Sequence, residues 1–151
     1  MRAILTVLLL TATPLMAAPS GGSYSTSAPA TGEITAATGL IEAGREAQAV
    51  EVLTQVLAKR PDNADALNLM GYAHRRMGDF EQSRVFYTRA LAADPMHDGA
   101  LAYMGVLELE EGNTAAARAL LVRLSAVCPT GCSALDDLME AFSERGVALT
   151  S

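Results

Sequence analysis

The chain has 151 residues, half of them hydrophobic, which is enough for one domain with a modest core. Its formal net charge is −6, so it lacks the basic surface that neutralises phosphates, and nucleic acid is excluded as an expected partner. Alanine and leucine are abundant and only 5% of the residues are aromatic, a composition that favours helices.

Residues 1–18 have the layout of a secretory signal peptide. Arg2 supplies the positive start, an apolar run follows, Pro14 interrupts it, and the small residues Ala17 and Ala18 suit a cleavage site. The run is short for a membrane span, so cleavage is favoured over an uncleaved anchor. We therefore expect an exported bacterial protein, periplasmic or secreted, with no stable membrane anchor after cleavage.

Residues 19–32 are rich in Ser, Gly, Pro and Thr and nearly free of charge. Such a stretch has little to bury, and we expect a flexible linker. The folded domain is then predicted over residues 33–146, with a first helix at about Glu33 to Ala43.

Glycine and proline recur with the same period in this domain. Each glycine suits the left-handed turn that ends a helix, and each proline prevents the following helix from continuing. Two series of residues in one phase indicate an internal repeat, with three helix pairs over about 30–63, 64–97 and 98–131. The series repeat every 34 residues, at Gly44, Gly78, Gly112 and Gly146 and at Pro61, Pro95 and Pro129.

The second helix of each pair has two predicted buried positions. The first position holds Leu53, Tyr87 and Leu121, and the second holds Val56, Ala90 and Leu124.

Residues 132–146 form half a repeat. An apolar stripe at helical spacing lies opposite a polar, mostly acidic face, as a helix that closes a stack of repeats requires. The predicted fold is thus an all-α solenoid of three helix pairs and a capping helix, wound into a short right-handed superhelix. The stripe comprises Leu135, Leu138, Met139 and Phe142.

A further pattern is shared by the second and third repeats: a methionine followed by a glycine, a small residue, an aromatic or large apolar residue, and a closing proline. Through it the sequence resembles the tetratricopeptide repeat family. The matching residues are Met70-Gly71, Ser83, Tyr87, Ala90 and Pro95, then Met104-Gly105, Ala117, Leu121 and Pro129.

The resemblance implies that the first helices line a concave groove that binds a peptide or a partner protein. Arg75 and Asn68 would hold an acidic, extended ligand there, and the apolar floor would supply affinity. The groove lacks the full set of Lys, Asn and Arg with which family members clamp a chaperone's terminal carboxylate. We expect an assembly adaptor, whose predicted groove residues are Asn68, Tyr72, Arg75, Val106 and Leu109, with Ile34, Thr38, Ile41 and Ala102 beside them.

Cys128 and Cys132 lie in the turn before the capping helix, in the sequence CPTGC. In an exported chain an even pair of cysteines favours a structural disulfide, which over so short a loop stabilises by about 2 kcal/mol. A redox-active pair and a soft-metal site remain alternatives, and a thiol–disulfide redox protein is the competing function. Two thiolates alone supply too few ligands for a metal.

No other group of residues suggests catalysis, a metal or a cofactor, and we expect the protein not to be an enzyme. His74 is predicted to pack or to line the groove, and His97 to be a solvated turn residue. The acidic cluster of Glu108, Glu110 and Glu111 is interpreted as the solvated end of a helix.

Overall fold

The computed structural model describes residues 30–149, and the predicted signal peptide lies outside them. These residues form helices and no strands. The seven helices are α1 (Ala30–Glu42), α2 (Glu46–Lys59), α3 (Ala64–Arg76), α4 (Phe80–Ala93), α5 (Asp98–Glu110), α6 (Thr114–Val127) and α7 (Ser133–Glu144). None of them has the length and hydropathy needed to cross a bilayer.

The helices form three hairpins, in which α1 packs on α2, α3 on α4, and α5 on α6. Successive hairpins stack because each second helix packs on the next first helix, and because α1, α3, α5 and α7 also pack side by side. The predicted all-α fold, a helical repeat closed by a last helix, is confirmed. The handedness of the superhelix stays a prediction.

Each first helix ends in the same turn. Gly78 has a φ of +80°, its N–H donates to the Arg75 carbonyl at 3.0 Å, and the Asp79 N–H donates to the His74 carbonyl at 2.9 Å. This pair of bonds is the Schellman motif, which satisfies two carbonyls at the helix end. The equivalent bonds recur at Gly44, Gly112 and Gly146.

Side chains at the helix starts also follow the repeat. The Asn63 side chain accepts a hydrogen bond from Ala66 N–H at 2.8 Å, and 34 residues later His97 Nδ1 accepts one from Ala100 N–H at 3.1 Å. The interpretation of His97 as a solvated turn residue was wrong: its side chain is 11% exposed and caps α5. Its other nitrogen lies 3.2 Å from Asp65 Oδ1, and therefore carries the proton when Nδ1 accepts.

Most of the predicted core positions are buried. Leu53, Tyr87, Val56, Ala90 and Leu124 are each 0–1% exposed. Leu121 is half-buried, because α6 packs less extensively on α7 than α2 packs on α3.

The apolar stripe of α7 is rotated from the predicted one. Leu138 and Phe142 are fully buried, whereas Met139 is 39% exposed and Leu135 is half-buried. α7 packs mainly on α5, where a Cβ on Gly105 would lie 2.7 Å from Leu138. This close approach turns the buried face toward the small residues Ala134 and Ala141.

Replacing Gly78 with alanine should destabilise the fold by about 1 kcal/mol, because a Cβ is strained at positive φ even where there is space. Gly39→Ala is the matched control: Gly39 lies within α1, has no positive φ, and a Cβ there contacts nothing within 4 Å. Urea unfolding should show lower stability for Gly78→Ala and unchanged or higher stability for Gly39→Ala. Equal stability of the two variants would contradict the turn assignment.

Candidate functional site

A concave pocket of about 280 Å³ lies between α3, α5 and α7. We call it the concave pocket. It is lined by Tyr72, Arg75, Tyr103, Val106, Asp137, Glu140, Ala141 and Glu144.

Two tyrosines form one wall of the concave pocket. The rings of Tyr72 and Tyr103 have their centroids 4.8 Å apart, in a tilted arrangement. Burial raises the pKa of the Tyr103 phenol, and the neighbouring Tyr72 and the Asp137 carboxylate raise it further. The Tyr103 phenol therefore stays neutral near pH 7, and the two rings offer aromatic faces and hydroxyl groups to a ligand.

Arg75 is not a free cation. Its Nη1 donates to Glu110 Oε1 at 2.8 Å, and its guanidinium lies 5.2 Å from the centroid of the Tyr72 ring. Arg145, after α7, lies 3.8 Å from the same Glu110 oxygen. Only 14% of the Arg75 side chain is exposed, so its charge is largely matched inside the protein.

The opposite wall of the concave pocket is acidic. Asp137, Glu140 and Glu144 are exposed on α7, and none forms an ion pair within residues 30–149. Three carboxylates thus face the two tyrosines, while the one arginine of the pocket is already paired. The pocket therefore attracts cations.

The structure brings three of the five predicted groove residues together, namely Tyr72, Arg75 and Val106. The other two are not available on the surface: Asn68 is 7% exposed and Leu109 is 4% exposed. Leu109 packs in the cluster beneath α7, and Asn68 lies against the first turn of α5, where its amide is 3.1 Å from a Cβ placed on Gly99. Because the capping helix covers part of the groove, Leu109 is core, whereas Val106 still lines the pocket.

The four residues predicted beside the groove do not line the concave pocket either. Ile41 and Ala102 are buried, and Ile34 and Thr38 are half-buried on α1, outside the concave pocket.

The sequence contained a signal for the missed residues. Adding 34 to Val106 gives Glu140, and adding 34 to Tyr103 gives Asp137. Residues in one phase line the same surface, so α7 continues the concave face as well as capping the stack. The acidic side of α7 was predicted to face solvent, and its position on the concave face was not predicted.

The acidic cluster at the end of α5 was predicted to be solvated, which is wrong for Glu108, although Glu111 is exposed. Glu108 is 4% exposed, and its carboxylate accepts hydrogen bonds from Arg84 and from the Asn113 amide, the latter at 2.9 Å. Arg84 also pairs with Glu111. Glu108 thus forms a structural ion pair that joins α4 to α5. A buried carboxylate needs such a partner to offset the cost of removing its charge from water.

Cys128 and Cys132 are placed as a disulfide, with their Cα atoms 5.8 Å apart, and they pack at the edge of the core around Leu138. Whether the bond forms in the cell stays a prediction, as does the competing redox function. His74 packs face to face with Phe86, with centroids 5.3 Å apart, and its Nδ1 lies 3.2 Å from Asp79 Oδ2.

Two overlapping stretches of the chain, residues 40–87 and 74–141, match the model of the tetratricopeptide repeat. No curated protein sequence shows significant similarity to the chain.

Several solved structures resemble the chain in fold. The second TPR domain of human RPAP3, in complex with the HSP70 peptide SGPTIEEVD, has a TM-score of 0.64 at 20% identity, over 74% of this chain and 93% of that one. The Yersinia enterocolitica type III secretion translocator chaperone SycD has a TM-score of 0.66 at 13% identity, over 77% and 80%. The Pseudomonas aeruginosa protein pilF has a TM-score of 0.69 at 20% identity, over 77% and 51%. At these identities the likeness concerns the fold alone.

The buried phenol of Tyr87 should make the fold sensitive to alkali. Burial raises its pKa well above the ordinary value, although the nearby Arg75 opposes the shift. The unfolded chain ionises this group from about pH 10, whereas the folded chain keeps its proton, so stability is full below pH 10 and falls by about 1.4 kcal/mol per pH unit above it. Tyr87→Phe should reduce this slope in urea unfolding between pH 9 and 11, and equal slopes in the two proteins would contradict the assignment.

Proposed function

Because this chain belongs to the tetratricopeptide repeat family, we propose that it is a binding module that holds a segment of a partner protein in the concave pocket. Domains of this family bind peptides and proteins and are generally not enzymes. The role that suits such a module is that of an assembly adaptor. The single observation that carries the proposal is the pocket itself, with aromatic rings on one wall and, on the other, carboxylates that form no ion pair within residues 30–149.

The ligand segment carries a lysine or an arginine. A cationic side chain entering the pocket meets Asp137, Glu140 and Glu144. It also lies beside the Tyr103 ring, where cation–π attraction adds about 0.5–1 kcal/mol, whereas the Tyr72 ring already has Arg75 over it. An acidic side chain would meet three like charges, which opposes its binding. This reverses the charge that we expected of the ligand from Arg75 and Asn68.

The comparison with RPAP3 sharpens this difference. The peptide in that complex, SGPTIEEVD, carries three acidic residues and no basic one. In the present chain Arg75 forms an ion pair with Glu110, and α7 contributes three carboxylates to the pocket. For the present chain we therefore propose a ligand of the opposite charge to that peptide.

Arg75 has a positioning role in this proposal. It holds Glu110 of α5 against α3 and lies over the ring of Tyr72. Reversing its charge would place two carboxylates together at a part-buried site, so a loss of binding in Arg75→Glu would not distinguish contact from misfolding. The carboxylates of α7 are exposed and allow a cleaner test.

We therefore predict that Glu140→Arg weakens binding of basic peptides at least tenfold, equal to about 1.4 kcal/mol. The parent protein is first applied to an array of random decapeptides, from which sequences with lysine or arginine should be selected. Affinities of selected peptides are then measured by fluorescence anisotropy at low and high salt, and they should fall as salt screens the carboxylates.

Glu51→Arg is the matched control for this charge reversal. Glu51 is exposed on α2, outside the concave pocket, and the substitution makes the same change in net charge. It should leave the affinity within about twofold. Selection of acidic peptides, or equal losses in the Glu140 and Glu51 variants, would refute the proposed ligand.

We also propose that the protein acts outside the cytoplasm of a bacterium, with residues 1–18 removed as a signal peptide and a linker following them. The predicted linker ran to residue 32, but α1 begins at Ala30, so the proposed linker ends before that residue. The basis is the sequence layout alone: Arg2, a short apolar run and the small residues before the cleavage point.

Expression of the full chain in a bacterium should release a mature form into the periplasmic extract. Its first residue, found by N-terminal sequencing, should be Ala18 or Pro19. Leu8→Arg, which places a charge in the apolar run, should leave the precursor uncleaved in the cytoplasm. An intact, cytoplasmic parent protein would exclude export.

A further inference from the structure

Three potential metal ligands converge where the last repeat meets the capping helix. One carboxylate oxygen of Asp98 and the sulfur atoms of Cys128 and Cys132 all lie within 4.8 Å of one another. We propose that, when the two cysteines are reduced, these side chains bind a divalent metal ion of the zinc type. The site lies outside the concave pocket and does not depend on the function proposed for it.

The repeat explains why these residues meet. Asp98 and Cys132 are 34 residues apart and so occupy equivalent places at the starts of α5 and α7. These two helices pack side by side, which brings the starts of both to the same edge of the stack. Cys128, at the end of α6, is held near Cys132 by the short turn between them. The sequence alone points to the two sulfurs, and the packing of α5 against α7 supplies the third ligand.

The donor set suits zinc. Two thiolates and one carboxylate give three protein ligands, and water can complete a tetrahedron. Bond lengths of about 2.3 Å to sulfur and 2.0–2.2 Å to oxygen place the donors of such a site roughly 3.5–3.8 Å apart. This separation is below the 4.8 Å within which the three donor atoms lie. Asp98 is exposed and forms no ion pair with another described residue, and its Oδ1 accepts one hydrogen bond from Gly99 N–H at 2.7 Å, so its other oxygen stays free for a metal.

The state of the cysteines decides between two structures of this turn. In the disulfide neither sulfur is a thiolate, and the metal is excluded. A phosphine and one water molecule reduce the bond: the phosphine leaves as its oxide, and the two electrons and two protons go to the sulfurs. A metal ion then displaces both thiol protons as it binds. The same turn is thereby closed by a covalent bond or by a metal ion.

Cobalt(II) is the probe for this site, because its thiolate complexes absorb in the near ultraviolet through charge transfer. The phosphine-reduced full chain should bind one Co²⁺ with this absorption, and added Zn²⁺ should displace it. The oxidised chain, in which a thiol count should give no free thiol, should show none. Asp98→Asn should lower the Co²⁺ affinity of the reduced chain at least tenfold.

Asp136→Asn is the matched control, since it removes the same charge from the first turn of α7 without removing a ligand. It should retain the Co²⁺ affinity within about threefold, and circular dichroism should show both variants equally helical. The proposal is overturned if the reduced chain gives no charge-transfer absorption, or if Asp98→Asn and Asp136→Asn weaken binding equally.

Discussion

The turn at the end of each first helix is the constraint on which the rest of the structure depends. A glycine with positive φ closes the helix through two backbone hydrogen bonds and directs the chain back along the same hairpin. Because four such turns recur at one spacing, every hairpin has nearly the same shape, and equivalent residues of successive first helices lie side by side. The concave pocket and the meeting of Asp98 with Cys132 both follow from this regularity.

The period predicted the fold well, since glycine and proline act on the backbone through local sterics. Burial of Leu53, Tyr87 and Leu124 also followed from phase. The candidate site was less predictable, because it depends on how closely neighbouring helices approach. Leu109 was predicted to line the groove, but it is part of the core because α7 packs over it.

Charge was the hardest property to predict. A sequence shows that Arg75 is cationic, but it does not show that Glu110, 35 residues later, accepts its hydrogen bond at 2.8 Å. The same holds for Glu108, whose burial becomes tolerable through Arg84 and Asn113 from outside its own helix. The net charge of a site is set by pairing across repeats. The pocket is acidic because its arginine is paired, while its carboxylates on α7 have no ion-pair partner in the described part of the chain.

The outer helices differ from the inner ones in how they are held. Among the described helices, α2, α4 and α6 do not pack on one another, and an open cleft of about 410 Å³ separates α4 from α6. Two hydrogen bonds link this side of the stack, from Arg89 to the Pro61 carbonyl at 3.1 Å and from Arg123 to the Pro95 carbonyl at 3.2 Å. Among the described helices, neighbouring second helices are therefore joined through the first helix that packs between them and through these two polar contacts.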